Sequence, residues 1–430
     1  MSIHPRDILF YGGGAALEKF GTLCQRRAPA FRGGEEVIET FTRTGTAYFK
    51  DRSGVLRYAE ENAPRVHWLD LDDDGVMETP ALLLEQARTN AWTYSEDLSD
   101  AAWGKQECTI TANDTTAPDG ASTADLVNPT AVDTTHYIQR SQTGLTDNTE
   151  TSASFFAKQE DQNWVAISTV SKASTSATSF FNLATGAEGT QSGGHRTTIE
   201  PYGDGWYRIS VAWDVESGGA IPLIRIIVCD ADNDSTYLGV VGEGIYVWGI
   251  QTEDDKPNSS SYIATAAATA TRNAEICSFP YPRSQEAQTT YVKFVEHGTA
   301  LVSGAYLYNI GTGGDPRTLV LMSGGDYRME HYTNAVNIAA APSTAEVPGD
   351  TVESLGTINA DGSISHSVSI NAGAATTATN ATTDAMDDSW GNPTIGVGCS
   401  GVGAPGFNPI IALIVARGAP TLADFRALLP

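Results

Sequence analysis

Between Trp206 and Asp214 the side chains alternate. Tyr207, Ile209, Val211 and Trp213 fall on one face, and Arg208, Ser210 and Asp214 on the other. Period-two alternation belongs to a β-strand with one buried and one wet face. Pro222 to Cys229 is apolar on both faces, as a central strand is. Gly244 to Gln251 and Ser152 to Lys158 read as further strands, separated by turn clusters such as Pro118-Asp119-Gly120 and Tyr202-Gly203-Asp204-Gly205. Many short strands, regular turns and little helix predict an antiparallel sandwich. The 42 glycines fit a turn-rich chain, and 41% hydrophobic residues are enough to build cores.

The remaining chain is read the same way. Residues 1–84 are irregular, broken early by Gly12-Gly13-Gly14 and Gly33-Gly34, with a helical stretch only at Ala15 to Phe20. Thr40 to Phe49 reads as a short strand, followed by a turn at Asp51-Arg52-Ser53-Gly54. This segment is too poor in apolar residues for a sizeable core, so it is expected to pack on something else. Ser259 to Thr271 has no apolar stripe and reads as a closing strand and linker. Residues 278–430 form a second β domain, with strands expected at Thr290–Val295, Arg317–Met322, Asp326–Tyr332, Thr394–Val397 and Ile410–Val415. A short terminal helix follows: Thr421 is its N-cap, and Leu422, Phe425 and Leu429 share a face.

Charge narrows the function. Acidic residues number 52 and basic ones 26, a net charge of −26. Nucleic-acid binding needs a basic footprint, and adsorption to an anionic membrane needs basic clusters. Neither partner is expected. The longest apolar run, Ile410 to Ala416, is too short to cross a bilayer, and the first residues lack a signal-peptide layout. Five scattered cysteines with no CxxC indicate neither a zinc ribbon nor a disulfide framework. The protein is expected to be made in a reducing bacterial cytoplasm and to leave by a route such as lysis.

Two groups of residues carry candidate chemistry. In Asp70-Leu71-Asp72-Asp73-Asp74-Gly75-Val76-Met77-Glu78, carboxylates at alternate positions precede a glycine that permits a sharp turn. Asp70, Asp72, Asp74 and Glu78 are the expected ligands, and calcium the expected ion, because hard oxygen donors suit it. The twelfth position is Ala81, so the loop is no EF-hand, and a solvated acidic turn is the competing reading. The second group is aromatic. Trp390, Tyr327, Tyr332 and Trp164 are candidate platforms for sugar rings, which stack on flat apolar faces while Asn, Asp and Gln read hydroxyls. A core position competes for each; Trp390, in Asp387-Asp388-Ser389-Trp390-Gly391-Asn392, has the most polar surroundings. The Gly-x-Gly-x-x-Gly at 396–401 is followed by Gly403-Ala404-Pro405-Gly406 rather than a helix, and reads as a turn. No GxSxG or HExxH occurs, and the seven histidines are isolated, so no catalytic residue is assigned and the chain is not expected to be an enzyme.

One ordered set of short motifs resembles a known family. It runs from Thr40-Phe41-Thr42-Arg43, Gly54-Val55-Leu56 and Pro64-Arg65 to Leu82-Leu83-Leu84-Glu85, Arg88-Thr89-Asn90, Tyr94-Ser95-Glu96-Asp97 and Trp103. It continues through Ala117-Pro118-Asp119-Gly120, Ser154-Phe155-Phe156-Ala157-Lys158 and Gly205-Trp206-Tyr207-Arg208. It closes with Tyr246-Val247-Trp248-Gly249-Ile250-Gln251-Thr252-Glu253, Ser261-Tyr262-Ile263-Ala264-Thr265 and Thr271-Arg272. Residues 36–277 resemble the phage head-spike-fibre domain of bacteriophage virions and gene transfer agents. Residues 278–430 are similar, more weakly, to concanavalin-A-like lectin and glucanase sandwiches.

The resemblance implies a mainly β chain in three parts. These are an N-terminal attachment segment (1–84), a jelly-roll sandwich like a carbohydrate-binding module (85–277) and a concanavalin-A-like sandwich (278–430). It implies a homo-oligomeric virion-surface spike or fibre that binds host capsular or cell-wall polysaccharide. Residues 1–84 would join it to a capsid or tail adaptor protein. Two alternatives stay open: a depolymerase or glucanase on the C-terminal sandwich, and a purely structural decoration protein.

Overall fold

The computed structural model describes residues 8–11, 40–69, 79–256, 258–280, 287–295, 306–311, 317–323, 326–333, 336–340, 350–359, 361, 363–380, 394–397, 408–417, 423 and 426. The chain groups into two compact units. The terminal unit comprises residues 1–52, 59–87 and 273–430; the central unit comprises 53–58 and 88–272. Both are built from antiparallel sheets, so the chain is mainly β and made of two sandwiches, as the alternation predicts.

In the central unit, one six-stranded sheet runs in the order Arg196–Pro201, Trp206–Val215, Thr149–Gln159, Ile245–Glu253, Ala124–Pro129, Cys108–Thr115. The other runs Ala187–Glu188, Ser176–Asn182, Trp164–Val170, Leu223–Cys229, His136–Ser141, Gly104–Gln106. Their inner faces share one core: Phe155, Ile209, Val211, Trp213 and Val247 from the first sheet meet Ile138, Val165, Ile167, Phe181, Ile226 and Val228 from the second. Each large apolar side chain so buried is worth about 1.5–3 kcal/mol. Trp92 and Trp103 close one side edge to face, with ring centroids 5.3 Å apart. The hairpin before Trp206 turns at Asp204 and Gly205, with φ of 60° and 76°. Two consecutive left-handed residues match the twist of the flanking strands, which is why an Asp-Gly pair sits there.

The first sheet has no wet outer face along most of its length. Residues 258–269 are irregular and cover it. Arg208, expected to face water, is buried and donates to Ser154 Oγ (2.9 Å) and the Ser260 carbonyl (2.6 Å). Phe156, Tyr202, Trp248 and Tyr262 form an aromatic layer beneath that cover. The expected closing strand over Ser259–Thr271 is reduced to Ala270–Arg272, which pairs with Arg88–Asn90. The rest is held by side chains instead of a ladder: Ser260 N–H donates to Glu253 Oε1 (2.7 Å), Ile263 N–H to Gln251 Oε1 (2.7 Å) and Thr265 N–H to Ser95 Oγ (2.8 Å).

In the terminal unit, one sheet runs Thr376–Asn380, Ile364–Ile370, Thr351–Ile358, Gln288–Val295, Asn408–Arg417, Thr79–Leu84, Arg65–Leu69, with Ile8–Tyr11 also paired to Asn408–Arg417. The other runs Thr40–Thr42, Ile276–Pro280, Thr394–Val397, Tyr306–Gly311, Arg317–Ser323, Asp326–Thr333, Val336–Ala340. Phe294 of the first meets Tyr327 of the second with ring centroids 5.7 Å apart, in the sandwich interior. Thr40–Phe49 is two strands, Thr40–Thr42 and Ala47–Lys50, interrupted at Gly45, whose φ is +82°.

The grouping differs from boundaries at 84/85 and 277/278. Leu82, Leu83 and Leu84 are buried on both faces and pair with Ile410, Pro409 and Asn408. Thr40–Thr42 pairs with Ile276–Ser278. Ile8–Tyr11, Thr40–Thr42, Arg65–Leu69 and Thr79–Leu84 therefore complete the sheets of the C-terminal sandwich, while residues 53–58 group with the central unit. Within the terminal unit, four fully buried charged side chains tie residues 43–85 to Glu275. Arg43 Nη1 donates to Glu275 Oε1 (2.8 Å), and Arg65 donates from Nε to Oε1 (2.7 Å) and from Nη2 to Oε2 (2.5 Å) of the same carboxylate. Arg65 Nη2 also pairs with Glu85 Oε2 at 2.7 Å. The helix at Ala15–Phe20 lies outside the described residues. Of the terminal helix, Ala423 and Arg426 are described and are helical, and Arg426 pairs with Glu353.

Candidate functional site

The outer face of the second sheet in the central unit is built by alternation. Val165, Ile167, Ile226, Val228 and Ile138 point into the core, so their neighbours point out. Strand register arranges these neighbours in rows. Asn182, Trp164 and Cys229 form one row; Phe180, Ala166, Ile227, Tyr137 and Gln106 the next. Then come Thr178, Ser168, Arg225, Gln139 and Gly104, and finally Ser176, Val170, Leu223 and Ser141. No Asp or Glu stands in any of these rows, and Arg225 is their one formal charge.

The face has an apolar end and a polar middle. Phe180, Ala166, Ile227 and Cys229 are buried, with half-buried Trp164 and Tyr137 packed against them. Gly189 lies so close to the Trp164 ring and Asp232 that a Cβ there would collide with both. Asp232 is itself committed, accepting from Thr190 N–H (2.7 Å) and Thr190 Oγ1 (3.0 Å). The Gly189 backbone therefore packs directly against the indole. In the polar middle, the half-buried Arg225 guanidinium rests over the Tyr137 ring, 5.0 Å from its centroid, and its Nε donates to Gln139 Oε1 at 3.3 Å. Thr178 Oγ1 donates to Ser168 Oγ at 3.1 Å.

The chemistry available here is recognition. Rings, an amide, hydroxyls and one guanidinium can stack and hydrogen-bond. The face holds no carboxylate pair. Burial pushes the Cys229 thiol far above its ordinary range and the Cys108 thiol up to about 11, so both stay protonated. His195, behind the face at the sheet margin, is pushed down to about 4, first by burial and then by Arg196. Its ring nitrogens lie 2.8 Å from Thr169 Oγ1 and 2.9 Å from Ser179 Oγ.

Of the aromatic residues expected to bind sugar, Trp164 is on this face. Tyr327 is not available: it is fully buried against Phe294 inside the terminal sandwich. Tyr332 belongs to the strand Asp326–Thr333, and its side chain lies outside the described residues, as does the whole of Trp390. The expected calcium ligands Asp70, Asp72, Asp74 and Glu78 also lie outside them. Among the described residues, no group of His, Cys, Asp and Glu could hold a metal ion, and no helix is long and apolar enough to cross a membrane. Tyr137, Gln139 and Arg225 were not anticipated. Their signal is a lone Arg inside Leu223-Ile224-Arg225-Ile226-Ile227-Val228, opposite the alternation of His136-Tyr137-Ile138-Gln139.

Neither a protein-family model nor a curated protein sequence matches the chain. Among solved structures it is similar to the mouse laminin alpha1 chain, domains LG4-5, at 10% identity and a TM-score of 0.23, over 68% of this chain and 93% of that one. It is also similar to the LG1-3 region of the laminin alpha2 chain, at 10% identity and a TM-score of 0.26, over 66% of this chain and 68% of that one.

Proposed function

We propose that this chain is a virion-surface spike or fibre component that adsorbs to host cell-surface polysaccharide through the outer face carrying Trp164, Tyr137, Gln139 and Arg225. The observation that carries the reading is that the strand rows of this face hold no carboxylate in a chain of net charge −26, the nearby Asp232 being bound to Thr190, and that two half-buried rings stand beside amide, hydroxyl and guanidinium groups. Sugars present apolar ring faces and dense hydroxyls, and such a surface answers both. A shallow face binds weakly, so several copies on one particle supply the avidity that adsorption needs.

Attachment to the particle, through a capsid or tail adaptor, is assigned to the N-terminal segment 1–84, outside the strands Ile8–Tyr11, Thr40–Thr42, Arg65–Leu69 and Thr79–Leu84 that are built into the sheets of the terminal unit. The direct experiment displays the whole protein multivalently on an array of host capsular and wall polysaccharides. Binding that falls about tenfold or more with Trp164→Ala, at unchanged circular dichroism, supports the assignment. A flat array, or Trp164→Ala binding as well as wild type, removes it.

A further inference from the structure

We propose that this face selects an acidic saccharide, Arg225 clamping the carboxylate of a uronic-acid unit whose neighbouring rings run toward Trp164. The proposal rests on the saccharide-binding reading above and narrows it to a substrate class.

Arginine has five N–H donors in a fixed fork. In Arg225 one of them, Nε, is used by Gln139 at 3.3 Å. Its Nη groups make no hydrogen bond or ion pair with any described residue, although the guanidinium is half-buried over Tyr137. Several other arginines of this chain are bound through more of their donors. Arg43, Arg65, Arg196 and Arg426 are each paired with a carboxylate, Arg140 donates to Thr93, and Arg208 donates to Ser154 and Ser260. Acids outnumber bases two to one in this sequence, so a carboxylate would be the common neighbour of an arginine. None stands in the rows around Arg225.

The Nη groups of this half-exposed guanidinium are open to a ligand, which can supply the opposite charge. The matching ligand group is planar and carries one negative charge, because one guanidinium with no lysine beside it neutralises a carboxylate but not a phosphate dianion. Fork-to-carboxylate pairing also fixes orientation. The Arg225 row and the Trp164 row are four residues apart along the paired strands, about 13 Å at 3.3 Å per residue. That length suits an oligosaccharide. Gln139, Thr178 and Asn182 lie within the same rows to meet hydroxyls. The chain's overall charge of −26 repels an anionic polymer at a distance, but the repulsion is screened beyond about 8 Å at physiological salt. At contact, the local cation decides.

The test uses the full chain and a matched pair of probes: a short oligogalacturonate and the same oligomer with its carboxyls methyl-esterified. Calorimetry is expected to show the acid form binding wild type about tenfold or more tightly than the ester. Arg225→Gln is expected to abolish the preference of the protein for the acid form over the ester, while Arg225→Lys restores only part of that preference. Equal binding of acid and ester to wild type overturns the proposal; if Trp164→Ala then weakens both, the saccharide reading survives alone. An oligoglutamate that binds as tightly as the uronate also overturns it, since the clamp would then read any carboxylate. If neither probe nor any neutral oligosaccharide binds, both readings fall.

Discussion

Glu275 receives two arginines that lie 232 and 210 residues earlier in the chain. With Glu85 they make two positive and two negative charges, all fully buried. Removing one partner from such a group leaves a charge buried without compensation, which costs about 3–5 kcal/mol. Glu275→Gln is expected to lower stability by that amount in urea titration; a change below about 1 kcal/mol would mean that water reaches the group. Arg43, Arg65 and Glu85 were visible in the sequence as parts of short motifs, but no periodicity links residues so far apart. Glu275 carried no signal at all. His195 gives a second residue-scale expectation. Above its unfolded value near 6.5 the ring is neutral in both states. Between pH 6.5 and about 4 the unfolded chain takes up a proton that the folded chain refuses, so stability falls as pH drops through that window. The loss from this group is about 1–3 kcal/mol. Stability measured against pH should therefore slope less steeply below pH 6.5 in His195→Gln than in wild type; parallel curves would show that the ring titrates freely.

At the scale of elements, legibility followed the hydrophobic pattern. Trp206–Val215, Thr149–Gln159 and Ile245–Glu253 were readable because their inward positions are apolar. Ile364–Ile370 was not, because its sequence Ile-Ser-His-Ser-Val-Ser-Ile places a buried His366 among the inward positions. Residues 258–269 were misread for a related reason. Their order comes from side chains of Ser95, Gln251 and Glu253, elements distant in sequence, and no local pattern records that. Tyr262 is the anchor of this cover: its hydroxyl donates to Glu96 Oε1 (2.9 Å) and lies 2.8 Å from Ser95 Oγ. Tyr262→Phe keeps the ring against Trp248 but removes the donor to the part-buried Glu96 carboxylate and one partner of Ser95 Oγ, which keeps its bonds to Thr265. It is expected to cost about 1–3 kcal/mol. Hydrogen exchange should rise in residues 258–269 first; uniform exchange across the central unit would contradict a locally held cover.

For the whole molecule, the chain passes between units at 52/53, 58/59, 87/88 and 272/273. Boundaries drawn from composition alone could not find this, because early and late residues join one set of sheets through pairings such as Leu82 with Ile410. Each unit nevertheless has its own core, Phe155 to Val228 in one and Phe294 with Tyr327 in the other. Cooperative unfolding follows shared cores, and chains with more than one core depart from a single two-state transition. Calorimetry of the full chain is therefore expected to resolve two transitions. Glu275→Gln, in the terminal unit, should lower one, and Tyr262→Phe, in the central unit, the other. With units of this size a loss of 1 kcal/mol lowers the melting temperature by about 2–4 °C, so the shifts are large enough to assign. The uronate oligomer gives an independent check, because a ligand that binds only the folded central unit raises only that unit's transition. One transition moved equally by both substitutions would mean that the two cores melt as a single body.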